Sequence, residues 1–289
     1  MKINFRDKNL RKKYIDLEKI LEIYFSKDLT KLIFTYVSFY ENLDLISKIN
    51  LSNEKKCLEI IANKKHIYAN NVDFESKSII RKLNFLDLLE NKPLIEFKYN
   101  ASSCVSMAYL DDHMFCISSF RVDIIRLANF DNTNTIKIDY KIKDSTFNDK
   151  NLFLLDNNNN IYIVNEPMTF SRKKIFTNNC NITSICAEND FLYAVDTDNK
   201  LIKIYDINNK NELIDTILIY IDFSIFEHSI HLTSDYIYFK ISNRVLVINK
   251  ISREIDFTYR LEALNYGFNV NDDYLFTTDR LNLYIYKKR

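Results

Sequence analysis

The feature that most constrains this chain is an internal repeat. In each copy, an Asn- or Asp-containing turn precedes an aliphatic residue that is followed directly by Tyr or Phe. The pairs are Ile67-Tyr68, Met114-Phe115, Leu152-Phe153, Leu192-Tyr193, Ile237-Tyr238 and Leu275-Phe276, and successive aromatics are 47, 38, 40, 45 and 38 residues apart. Short, alternating, β-branched segments surround the pairs, which excludes helical repeats. A period of about 40 to 45 residues is typical of a four-stranded propeller blade.

Two repeat units show the strand pattern most clearly. The fourth predicts strands at Asn181–Ala187, Phe191–Val195, Leu201–Ile207 and Glu212–Ile219, and the fifth at His228–Leu232, Tyr236–Ile241, Val245–Asn249 and Glu254–Tyr259. With a single Gly in the chain, Asn and Asp are expected to supply the tight turns, because they tolerate left-handed backbone. The pattern predicts a mainly β fold, a β-propeller of about six blades over residues 54–289.

The last unit predicts three strands, at Asn265–Val270, Tyr274–Thr277 and Leu281–Tyr286. Propellers remove exposed sheet edges when the other terminus lends a strand to the last blade. We expect Lys2–Phe5 to be a candidate lender. The alternative is a three-stranded last blade whose edge is protected by the basic residues 287–289.

The first fifty residues have helical periodicity instead. Apolar residues recur at helical spacing over Leu10–Tyr24, then over Leu29–Val37, and again at Leu43, Leu45, Ile46 and Ile49. Charged residues occupy the opposite face of the first run. The pattern predicts a short N-terminal α-helical module over residues 1–53.

Within this module, Asp28-Leu29, Leu32-Ile33-Phe34, Tyr36-Val37-Ser38 and Asn42-Leu43-Asp44-Leu45 resemble the F-box family. The resemblance implies docking to the small adaptor subunit of a cullin-type ubiquitin ligase, with apolar helix faces in a groove of that partner. The implied partner-binding residues are Leu29, Leu32, Ile33, Val37, Leu43 and Leu45. The alternative is that the same apolar stripe packs within the chain as core.

The period and strand order over about 230 residues resemble the WD-repeat and related propeller families. The nearest counterpart of their Trp-Asp pair is Tyr205-Asp206. The two resemblances together imply a non-enzymatic protein-interaction scaffold, a substrate receptor whose propeller holds a protein partner. The alternative is a structural or assembly protein, such as a virion component, that uses the propeller as a binding platform.

Motifs for catalysis, metals or cofactors are not expected. His228 and His231 lie three apart on a predicted strand and point to opposite faces, so they do not chelate one metal. The five Cys never form C-x-x-C, which is typical of buried thiols in a reducing compartment. With one Gly there is no Gly-rich phosphate loop. We expect no enzyme activity, no metal and no cofactor.

Charge and hydropathy limit the partners. A net charge of +1 provides no field for nucleic acid or an anionic membrane. The chain contains no apolar run of membrane-spanning length and no signal-peptide pattern at its start. We expect a cytoplasmic protein. Its wealth of Asn, Ile and Lys indicates an AT-rich gene, as in large DNA viruses, and hence host cytoplasm if the source is viral.

Overall fold

The structure is a computed structural model that describes residues 40–41, 43–50, 56–62, 66–72, 77–84, 97–102, 104–110, 112–129, 131–148, 150–166, 171–177, 180–209, 212–219, 228–261, 267–279 and 281–288. These residues form 25 β-strands in six sheets. The described part of the chain contains no helix, and so offers none that is able to span a lipid bilayer.

The strands follow one another in chain order. Two strands precede blade 1, namely β1 (Tyr40–Glu41) and β2 (Asp44–Asn50). Blade 1 consists of β3 (Lys56–Ala62), β4 (His66–Val72), β5 (Lys77–Asn84) and β6 (Phe97–Ser102). Blade 2 consists of β7 (Cys104–Leu110), β8 (His113–Ser118), β9 (Arg121–Arg126) and β10 (Asp131–Lys137). Blade 3 consists of β11 (Ile142–Phe147), β12 (Leu152–Asp156), β13 (Asn160–Glu166) and β14 (Ser171–Thr177).

Blade 4 consists of β15 (Ile182–Glu188), β16 (Phe191–Asp196), β17 (Leu201–Asp206) and β18 (Glu212–Leu218). Blade 5 consists of β19 (His228–Leu232), β20 (Tyr236–Ile241), β21 (Arg244–Asn249) and β22 (Ile255–Arg260). Blade 6 contains β23 (Phe268–Val270), β24 (Tyr274–Thr278) and β25 (Asn282–Lys287). Within each blade consecutive strands pair antiparallel, so the predicted six-bladed propeller is confirmed.

The repeated aliphatic-aromatic pair explains how the blades join. All six pairs lie on the second strand of their blade, and both members are buried. Adjacent residues of a strand face opposite sides of the sheet, so each aromatic reaches the next blade. There it shares a core cluster with that blade's aliphatic residue: Tyr68 with Met114, Phe115 with Leu152, Phe153 with Leu192, Tyr193 with Ile237, Tyr238 with Leu275 and Phe276 with Ile67. The last pair closes the ring.

Tight turns use non-Gly residues, as the composition predicts. Positive φ angles occur at Asn159 (62°), Asn189 (51°), Lys200 (57°), Ser242 (53°) and Arg253 (61°). The two Asn residues are the expected substitutes for Gly. Lys200, Ser242 and Arg253 adopt the same left-handed backbone, which their residue types do not predict.

Closure of the ring confirms the expected borrowed strand but not the expected lender. β2 pairs antiparallel with β25 and forms the outer strand of blade 6. The three-stranded alternative is therefore wrong. Lys2–Phe5 lie outside the described residues. The segment that closes the blade is Asp44–Asn50, which the helical pattern assigned to the N-terminal module.

The helical prediction for residues 43–49 is wrong. A short apolar run does not distinguish helix from strand, and the open edge of β25 selects the strand because its backbone groups need partners. The propeller thus begins inside the predicted 1–53 module. The rest of that module lies outside the described residues.

Blade 5 also gains a strand from the N-terminal side. β1 pairs parallel with β22, through Tyr40 with Thr258 and Glu41 with Tyr259. Leu43 packs against the core cluster between blades 5 and 6. We call residues 40–50 the N-terminal strap, because they cross the rim from blade 5 to blade 6.

Candidate functional site

One face of the propeller carries the turns between the first and second strands of each blade; we call it the first-turn face. Four of these turns end in Asp, and the Asp carbonyl oxygen accepts a hydrogen bond from the residue that follows the third strand. The bonds are Leu127 N to Asp112 (2.7 Å), Ile207 N to Asp190 (2.8 Å), Lys250 N to Asp235 (2.9 Å) and Lys288 N to Asp273 (2.9 Å). These turns are therefore fixed to their blades by the same bond.

The side chains of these turns are directed to solvent. Asp112, Asp190, Asp235, Asp272 and Asp273 are all exposed. As the sequence predicts for Asp112, Asp190, Asp272 and Asp273, these carboxylates occupy turn positions. These turns therefore place several exposed carboxylates on one face of the ring.

Apolar and ion-paired residues lie on the same face between blades 4 and 5. Ile251, in the turn after β21, is 94% exposed. The Lys250 ammonium beside it forms an ion pair with Glu188 of blade 4. Arg253 Nε lies 3.0 Å from Asp215 Oδ2, also of blade 4. These cross-blade pairs hold the turn that presents Ile251.

The opposite face carries three carboxylates that organise the turn between the second and third strands. Asp156 accepts hydrogen bonds from the backbone N of Asn158 and Asn160, from Asn160 Nδ2 and from Tyr162 OH. Asp279 accepts the same set from Leu281, Asn282 and Tyr284. Carboxylates that accept several hydrogen bonds in this way stabilise the turns.

At the third carboxylate, Asp196, the donor is Lys203, whereas Tyr162 and Tyr284 donate to the other two carboxylates. Lys203 Nζ lies 2.7 Å from Asp196 Oδ2 and donates to Cys180 Sγ at 3.0 Å. Burial alone would raise the pKa of Asp196, but the hydrogen bonds from Lys203 and Asn199 outweigh it and lower that pKa. Burial favours the neutral form of Lys203 and would lower its pKa. The hydrogen bonds to Asp196 and Cys180 outweigh this effect and raise the pKa of the ammonium group.

Near the propeller axis, the seam between blades 3 and 4 is polar. Asp144 of β11 accepts hydrogen bonds from Ser184 Oγ (2.9 Å) and Ile185 N (2.8 Å) of β15. Thr146 Oγ1 accepts one from Ala187 N at 3.1 Å. On the other side of β11, the Ser145 and Ser106 hydroxyls lie 2.7 Å apart and join blade 3 to blade 2. This network of buried and half-buried polar groups spans three blades.

The seam between blades 5 and 6 contains a histidine. The His231 ring lies edge-on to Phe268, with centroids 5.2 Å apart, and its Nδ1 is 3.4 Å from Asn269 Nδ2. Burial lowers the pKa of His231 to about 4. His231 is thus a half-buried residue whose ring is neutral at neutral pH. Among the described residues no group of three or more His, Cys, Asp or Glu side chains is arranged to hold a metal ion.

The residues predicted to bind an adaptor are not brought together in the described structure. Leu29, Leu32, Ile33 and Val37 lie outside it. Leu43 is half-buried against the core between blades 5 and 6, and Leu45 of β2 is 39% exposed.

Sequence reasoning missed Asp144, Ser184 and Thr146. The available signal was a polar residue near the middle of the first strand, as at Asp144 in blade 3 and Ser184 in blade 4. The same pattern occurs at Ser106 in blade 2. Polarity at a position that a closed ring buries indicates contacts between blades.

A scan against protein-family models and a search of curated proteins found no match to this chain. Function is therefore argued from the architecture. A six-bladed propeller that presents ordered turns on a rigid ring is typical of a non-catalytic protein-interaction scaffold.

Proposed function

We propose that this chain is the substrate receptor of a cullin-type ubiquitin ligase, with the first-turn face as the surface that holds the protein to be modified. The observation that carries the scaffold function is the convergence of fixed turns on one face of a closed ring. Because this face carries exposed carboxylates as well as the exposed Ile251, it suits a protein partner with basic and apolar side chains.

The ligase role rests on the F-box resemblance of the N-terminal region. Since Leu43 packs into the propeller core, we assign adaptor contact to Leu29, Leu32, Ile33 and Val37, with Leu45 at the margin. The strap is compatible with this arrangement, because it anchors residue 40 to the outer side of blade 5.

The test is an affinity purification of the full-length protein from a eukaryotic lysate, followed by mass spectrometry. One variant carries Leu32→Asp and Ile33→Asp, and a second carries Asp235→Lys and Asp273→Lys on the first-turn face. Glu212→Lys with Asp256→Lys is the matched control, since both residues are exposed on the fourth strands of blades 4 and 5 and the net charge changes equally. All variants are first checked for wild-type circular dichroism and thermal unfolding.

We expect wild type and control to recover the adaptor and the cullin. The Leu32/Ile33 variant should lose both, and the Asp235/Asp273 variant should keep both but lose a further protein. Recovery of a further protein without the adaptor or the cullin would support a scaffold function and reject the ligase role. Recovery of the chain's own copies alone supports the structural or assembly alternative.

A further inference from the structure

The seam between blades 3 and 4 has a feature that the scaffold function does not require. β15 is the innermost strand of blade 4 and has a ladder partner, β16, on one edge only. Side chains of β11 occupy the other edge: Asp144 accepts from Ile185 N and Thr146 accepts from Ala187 N. Alternate side chains of one blade thus satisfy alternate backbone groups of the next, as a neighbouring strand would.

Asp144 differs from Thr146 because it ionises. Its carboxylate accepts three hydrogen bonds from described groups, namely Ile185 N, Ser184 Oγ and Ser145 N, and all three donors are neutral. The neighbouring cation, Lys143, donates to Asn159 Oδ1 at 2.7 Å instead. A carboxylate held between blades by neutral donors loses hydration without gaining a close countercharge.

Titration near neutral pH is consistent with this environment. Burial raises the pKa of Asp144 to about 6, although the hydrogen bonds from Ile185, Ser184 and Ser145 and the charge of Lys143 oppose the rise. Lys143 is the charged group that acts on Asp144 directly. Cys186 of β15 also lies near Asp144; Glu188 and Lys250 act on Cys186, and Asp156 acts on Lys143. Burial raises the pKa of Cys186 to about 12, so this thiol stays neutral.

We propose that the seam between blades 3 and 4 is a proton-responsive joint, in which one proton on Asp144 resets the hydrogen bonds along the inner edge of β15. The ionised carboxylate accepts all three donors. The protonated acid carries one O–H and must donate it. Ser184 Oγ, 2.9 Å away, then accepts from Asp144, and its own hydrogen turns away from the carboxyl group. The Ile185 amide is left with a weaker, neutral acceptor.

The test is amide hydrogen exchange of the full-length protein by NMR between pH 4.5 and 7.5, corrected for intrinsic exchange rates. Protection of the Ile185 amide should fall roughly tenfold as pH drops through about 6, because a charge-assisted bond becomes a neutral one. The Ala187 amide is the internal control, since its acceptor Thr146 does not titrate. An equal response of Ile185 and Ala187 would overturn the proposal.

Two variants complete the test. Asp144→Asn should remove the inflection, whereas Asp156→Asn should retain it, because Asp156 accepts its bonds from within its own blade. Persistence of the inflection in Asp144→Asn contradicts the joint. If Asp144→Asn does not fold, Ser184→Ala decides: loss of one donor to the charged form should move the inflection to higher pH, and an unmoved inflection rejects the proposal.

Discussion

Lys203 occupies in blade 4 the position that tyrosine occupies in blades 3 and 6, and its ammonium nitrogen lies 2.7 Å from the buried carboxylate of Asp196. In register, Lys203 pairs with Ala194, Tyr162 with Leu154 and Tyr284 with Thr277, each the residue after the blade's aromatic. The turn carboxylate is buried in blades 3 and 4 and half-buried in blade 6, and two different side-chain types donate to it: tyrosine in blades 3 and 6 and lysine in blade 4.

Replacing Lys203 by Met should destabilise the protein by about 3 kcal/mol, because the Asp196 carboxylate then stays buried without its cation. Lys203→Tyr should cost clearly less, since a phenol hydroxyl can donate to Asp196 as Tyr162 does to Asp156 at 3.1 Å. The measurement is the free energy of unfolding in urea at pH 7. Equal losses in both variants would contradict a donor role at this position.

The strap should stabilise the ring through one face of β2. Ile49 packs against the core cluster that joins blades 6 and 1, whereas Ile46 is 45% exposed. Ile49→Ala is expected to cost about 1 to 2 kcal/mol, less than a fully buried isoleucine, and Ile46→Ala less than about 0.5 kcal/mol. Urea unfolding tests the pair. Similar losses at both positions would indicate the common face of a helix and not the opposite faces of a strand.

The blade aromatics should dominate ring stability. Phe153 is fully buried between blades 3 and 4, so Phe153→Ala is expected to cost about 3 to 5 kcal/mol. Phe120 is 57% exposed in a turn of blade 2, and Phe120→Ala should change stability by less than about 0.5 kcal/mol. Thermal and urea unfolding measure both. A small effect at Phe153 would mean that the aromatic-aliphatic contacts between blades are not what holds the ring.

Stability should depend on pH through His231 and Asp144 in opposite directions. The folded pKa of His231 is about 4, below its ordinary 6.5, so the unfolded chain binds the proton first and stability falls as pH drops from 6.5 to 4. The folded pKa of Asp144 is about 6, above its ordinary 3.8, so stability rises over pH 6 to 4. Each effect amounts to roughly 3 kcal/mol at most.

In the wild type the two effects should largely cancel between pH 6 and 4. His231→Gln should leave the Asp144 term, so its stability relative to wild type rises as the pH is lowered. Asp144→Asn should show the reverse. Unfolding free energies at half-unit pH intervals provide the comparison, and parallel pH curves for the three proteins would show that neither group carries a shifted pKa.

The fold was largely predictable from the sequence, and specific elements show why. The aromatic-aliphatic pairs mark the second strand of all six blades, because a side chain on each face of the same strand is needed to bind both neighbouring blades. Strands are predicted to within a few residues, as for β16, expected at Phe191–Val195 and found at Phe191–Asp196. The period of the repeat and the alternation of apolar and polar residues along its strands are local properties, so they can be recognised from the sequence alone.

The candidate site was less predictable. Asp112, Asp190 and Asp273 are recognisable as turn residues, but only the closed ring places them on one face. Asp144 and Ser184 are 40 positions apart and meet across a seam, a contact that no local pattern encodes. Lys203 and Cys180 are likewise 23 positions apart and meet only in the folded blade.

What the sequence alone determined is the repeating blade: its length, its strands and the two apolar residues that bind each blade to the next. Only the tertiary structure decided that residues 44–50 form a strand, and only it decided the protonation of the side chains that lie between blades. Residues 44–50 carry a pattern compatible with helix, and they become a strand because the edge of β25 offers unpaired backbone groups. Similarly, the ionisation of Asp144 and His231 is set by burial between blades, which exists only after the ring has closed.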